Sequence, residues 1–176
     1  MDRNIFIALS VAVLIVIGSI PTDATQKIEP EEIAFLRKAA QEQLAEIGLG
    51  KLAMKKASHK KVKEFGAEIV EDHQYTSQEI KELSAKEGIY LPVEMHDKQK
   101  KAQQRLSHLS GNAFDKAFIT YLLKKHRNQV EELQKNAAKL HNEGVKHWAE
   151  TTEPILAVHL KKAENVAEAL GINEVR

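Results

Sequence analysis

The chain contains no cysteine in 176 residues. That excludes a disulfide framework, a lipidated cysteine, thiolate metal sites and covalent c-type haem. An excess of charge of one sign is also missing. Lys and Arg number 26 against 25 Asp and Glu, so the basic footprint of a nucleic-acid binder is absent and no nucleic-acid partner is expected. Aromatic residues make up only 5%. No segment alternates apolar and polar residues as a half-buried strand does. There is no nucleophile–base pair, no Gly-rich phosphate loop and no open pair of carboxylates. What is there is a chain dominated by Ala, Leu, Lys, Glu and Gln, all good helix formers. Its length suits one domain with a core of ordinary size.

The N-terminus carries one basic residue, Arg3, and then an apolar run from Ile5 to Ile20. Pro21 ends the run, and Thr22-Asp23-Ala24 supplies small residues where a signal peptidase cuts. The expectation is a signal peptide over residues 1–24 and a mature, periplasmic or otherwise extracytoplasmic chain from about Thr25. The alternative is an uncleaved segment that ties the protein to the membrane, since 16 apolar residues approach the roughly 17 needed to span. Residues 25–31 then form a linker, 32–171 the folded domain and 172–176 a tail.

Four long amphipathic segments follow. The first starts at Pro30-Glu31-Glu32, with proline and acids where a helix begins, and carries an apolar stripe of Ile33, Leu36, Ala40, Leu44, Ile47 and Met54. Ser58 breaks it. The second runs from about His59 to Glu87 with Val62, Phe65, Ile69, Ile80 and Leu83 inward, and Gly88 is its stop. Residues 93–109 read as a short, partly exposed helix. The third long helix follows Ser110-Gly111-Asn112, where Asn112 and Asp115 have capping-box spacing, and extends to about Leu140. The last spans about Val145 to Leu170, with Gly171 as its stop and Pro154 predicting a kink or short break. The fold class is all-α: a four-helix bundle with a short extra helix between helices 2 and 3.

Three of these helices turn a histidine inward. His73, His126 and His159 each sit on an apolar stripe. In an antiparallel pair, residues equidistant from the turn share a level. His126 lies 16 residues before Asn142, and His159 lies 15 after Gly144. His73 lies 15 after Ser58, which places its level-mate on the first helix at residues 43–46, where Glu46 stands. All four positions fall near mid-height, whichever way the connector runs. Imidazoles and a carboxylate converging between helices can hold one divalent ion. The predicted ligands are Glu46, His73, His126 and His159, with zinc or copper favoured over iron. A b-type haem between two of the histidines is a further candidate that needs a wider gap. Asp72 and Glu153 are the expected outer hydrogen-bonding partners, and Asp115 is read as a cap.

The stretches AAQEQLAEIGLGKLA, EFGAEIVEDHQ, LSGNAFDKAFITYLLKKH and EPILAVHLKKAENVAEALG resemble the bacterial family called domain of unknown function 4142. The resemblance covers roughly residues 32–171. It implies an exported bundle of the ferritin-like superfamily, a group carried under an outer-membrane label. Its spaced set is Glu46, Asp72-His73, Gly111 to Asp115, His126, and Pro154 with His159; Glu153 departs from the apolar residue the family places before that proline. A di-iron carboxylate site needs Glu-x-x-His on two helices. Here Val70, Leu123 and Leu156 stand three residues before the histidines, which weakens a ferritin-like oxidase or peroxidase. The leading reading is metal binding, storage or buffering in preference to catalysis. The competing reading is a structural or stress-related envelope protein with a metal-free histidine network. The sequence names no protein partner.

Overall fold

A computed structural model of the chain describes residues 27–172. The expected signal segment, residues 1–24, lies outside them. The described residues form four 27-residue helices, α1 (Pro30–Lys56), α2 (Lys60–Lys86), α4 (Gly111–Ala137) and α5 (Glu143–Ala169), and one 11-residue helix, α3 (Asp97–Ser107). No strand occurs among them. No helix among them is long and apolar enough to cross a membrane.

The helix ends follow local chemistry. Glu29 and Glu32 close a capping box around Pro30 at the start of α1, and Lys55 and Lys56 complement the dipole at its end. Gly88 (φ 67°) and Gly171 (φ 63°) take the left-handed conformation after α2 and α5. Beyond each glycine the next amide closes a Schellman bond, Ile89 N to Ser84 O at 2.8 Å and Ile172 N to Ala167 O at 2.9 Å. α5 runs unbroken through Pro154, so the expected short break does not occur. The missing amide costs one bond of a long ladder, and buried Trp148, Thr152 and Leu156 hold the helix on both sides of it.

Two buried carboxylates fix the topology. Glu32, in the first turn of α1, accepts from the backbone amides of His141 (2.7 Å) and Asn142 (2.9 Å) in the α4–α5 turn. Asp115, in the first turn of α4, accepts from the amides of Ser58 (3.1 Å) and His59 (2.9 Å) and from the Ser58 hydroxyl (2.6 Å) in the α1–α2 turn. Each hairpin's first helix thus clasps the other hairpin's turn. Asp115 is a cap, but of the neighbouring turn; the N-cap of its own helix is Ser110. It follows that α1 and α4 are antiparallel and that residues 88–110 traverse the length of the bundle.

The bundle core divides into two apolar clusters. One holds Phe65, Ile69, Phe114, Phe118, Leu122 and Ala163. The other holds Leu36, Ile80, Leu133, Trp148 and Leu156. In all three helices the inward histidine falls between the two sets. The expected stripe of α1 needs correction: Met54 is exposed, and Ile33, Leu44 and Ile47 are only half-buried. Its true core face is Leu36, Ala39, Ala40, Gln43, Glu46, Leu49, Gly50 and Ala53. Small residues win that face because α1 and α2 meet closely; a Cβ on Gly50 would lie 2.5 Å from the Gly66 carbonyl oxygen.

Candidate metal centre

The three histidines converge at mid-height. Ring centroids are 5.3 Å apart for His126 and His159, 5.4 Å for His73 and His159, and 6.2 Å for His73 and His126. All three are buried, and one ring nitrogen from each lies within 4.8 Å of the other two. A tetrahedral ion with Zn–N bonds near 2.0–2.1 Å needs about 3.3 Å between ligands. Closing the set therefore takes shifts of at most about an ångström.

Outer partners fix which nitrogen is available. His73 Nδ1–H donates to Gln43 Oε1 (2.6 Å), which also accepts from the Thr76 hydroxyl (2.9 Å). An amide oxygen only accepts, so the lone pair of His73 is on Nε2. His159 Nε2–H donates to Asp72 Oδ2 (2.8 Å), which leaves its lone pair on Nδ1. His73 Nε2, His159 Nδ1 and both nitrogens of His126 are buried without a hydrogen-bond partner of good geometry. His73 and His159 thus have the arrangement of metal-binding histidines, one nitrogen tied to an outer acceptor and the other free.

The imidazoles are held neutral. Burial pushes His126 down to about 3, with His159 and Lys125 adding to the shift and the Leu122 carbonyl opposing it. Burial, then His126, His159 and Lys125, holds His73 well below the ordinary histidine range. Burial also lowers His159, against an opposing pull from Asp72. Three neutral rings therefore aim nitrogen lone pairs into a common space. Such a set can hold a cation.

Of the four expected ligands, the structure brings these three together. Glu46 does not join the group within 4.8 Å. The reason is the rotation of α1: Gln43 faces His73, and Glu46 stands about 60° round the helix and about one turn higher. Glu46 is fully buried with neither oxygen hydrogen-bonded. Burial raises it to about 7, which Lys125 opposes and Glu42 reinforces. Asp72 is an outer partner, though of His159 across α2–α5 and not of adjacent His73. Glu153 contacts neither; it accepts from Gln134 (2.8 Å) at the surface, because its side chain leaves α5 away from the core. Sequence reasoning missed Gln43 and Thr76. Gln43 carries a signal, as a polar residue in the window level with His73 that also holds Glu46. Thr76 resembled an ordinary member of the apolar stripe.

The family described as "Domain of unknown function (DUF4142)" matches residues 18–166. No curated protein matches the chain. Among solved structures, the crystal structure of a DUF305 fragment from Deinococcus radiodurans is similar, with a TM-score of 0.70 at 14% identity over 82% of this chain and 97% of that one. At that identity the likeness speaks to the fold alone.

Proposed function

The chain belongs to the DUF4142 family, a premise that carries no activity, and from its own site we propose that it binds one divalent or copper ion through His73, His126 and His159. The observation that supports this is the set of unpartnered, buried lone pairs on three adjoining rings. A metal-free network would satisfy these atoms among themselves. Left as they are, each costs about 1–3 kcal/mol, which one bound ion would offset. An all-nitrogen, uncharged set favours zinc or copper over iron. Ring centroids 5.3–6.2 Å apart suit an ion better than a macrocycle. Glu46 and Asp72 supply nearby carboxylates for charge balance, Glu46 by ionising when the ion enters. Holding or buffering the ion is favoured over catalysis, because the three rings are buried out of reach of a substrate.

Calorimetric titration with zinc tests the reading. The wild-type chain should bind one equivalent, and His73→Ala, His126→Ala and His159→Ala should each lose at least about 1.4 kcal/mol, or tenfold, of affinity. Wild-type-like binding in all three would contradict it. The proposed compartment is extracytoplasmic, on the strength of the apolar run before Pro21. An intact mass beginning near Thr25 would support export, and one retaining Met1 would indicate an anchor.

A further inference from the structure

A buried site needs a path by which its ion arrives. His73 and His126 are shut in by the core, at 2% and 0% exposure. The polar chain behind His73 runs through Gln43 and Thr76 to the Trp148 indole, which donates to the Thr76 carbonyl (3.0 Å), and the cleft that Gln43 and Trp148 line between α1, α4 and α5 is small and largely apolar. His159 differs. Its ring is fully buried, yet Nε2–H is bonded to Asp72, whose side chain is 37% exposed. One turn earlier on α2, Glu68 is also partly exposed. A carboxylate oxygen from each and a nitrogen of His159 lie within 4.8 Å of one another.

We propose that Glu68 and Asp72 form the port through which a divalent cation reaches the buried histidines, with the His159 ring standing between the carboxylates and the inner position. This rests on the three-histidine reading and adds the route to it. A second observation marks the place as cation-selecting: the Lys162 ammonium is ion-paired with Glu68 and also lies 5.9 Å from the centroid of the Phe65 ring. An arriving ion displaces that ammonium, which swings out on its flexible stem. The two carboxylates hold the ion first. It passes inward as the His159 ring breaks and remakes its bond to Asp72. No proton is gained or lost, since Nε2 keeps its hydrogen and the ring ligates only in the inner position, through the Nδ1 lone pair.

Stopped-flow absorption of cobalt(II) binding by the full chain tests the route. Glu68→Gln should slow association and dissociation alike by about tenfold, because a residue used only in passage leaves both end states unchanged. Its Kd should stay within about twofold of wild type. Lys162→Ala, which removes the competing ammonium, should speed both rates. Helical content by circular dichroism checks that both variants fold. Unchanged rates in both variants, with wild-type Kd, would overturn the port and leave the histidine site standing. A change in Kd through dissociation alone would also overturn it, by making Glu68 part of the site itself. Absence of cobalt binding in the wild type would instead defeat the three-histidine reading, and the port with it.

Discussion

At the scale of single residues the site is a contest between burial and charge. A histidine kept neutral in the fold binds fewer protons than the same residue unfolded. The depressed values of His73, His126 and His159 therefore make the ion-free protein lose stability as pH falls below about 6.5. Glu46 acts in the opposite sense. Its folded value near 7 exceeds the unfolded 4.5, so its contribution is present at low pH and fades as pH rises through 7. Between about pH 5 and 6 the three histidines outnumber Glu46, and unfolding should take up protons net. Urea melts of the metal-free chain across this range should show stability falling with acid, and Glu46→Gln should steepen the fall. A flat profile, or one that rises with acid, would contradict the burial described. Histidines facing inward were legible from spacing alone. Which nitrogen each presents was not, because the partners Gln43 and Asp72 come from other helices.

At the scale of elements, α1 shows what periodicity misses. Bulky residues mark a stripe to the eye, yet Ile33, Leu44 and Ile47 lie on the half-buried edge while Gln43, Glu46 and Gly50 face the core. Close approach to α2 selects for small side chains, and small side chains carry little hydropathic signal. Two glycines of this helix should therefore respond differently to the same change. In Gly50→Ala the new Cβ meets the Gly66 backbone oxygen at 2.5 Å and Val70 Cγ2 at 2.8 Å, so the helices must part, at a cost of about 1–3 kcal/mol. In Gly48→Ala it meets the end of the flexible Gln103 side chain, which can turn away. There the gain in helix propensity of up to about 1 kcal/mol should prevail. Urea midpoints of the two variants decide the matter. Equal stability would mean that α1 and α2 are not in contact along this edge.

At the scale of the whole molecule, helix number and ends were readable because proline, glycine and acids punctuate them. The level of the histidines was readable because mid-height is the same whichever way the crossover runs. The crossover's direction was not. It is set by Glu32 and Asp115 reaching across to turns more than fifty residues away, and each resembles an ordinary first-turn acid in the sequence. The result is a bundle with apolar clusters on either side of one polar layer. That layer holds ring nitrogens without a protein hydrogen-bond partner, and the proposed ion would engage them together. The most direct measurement is elemental analysis of the full-length chain, purified without a polyhistidine tag and dialysed after exposure to zinc or copper. The account predicts one equivalent of metal in the wild type and none in His126→Ala. No retained metal in the wild type, or equal metal in both, would contradict it.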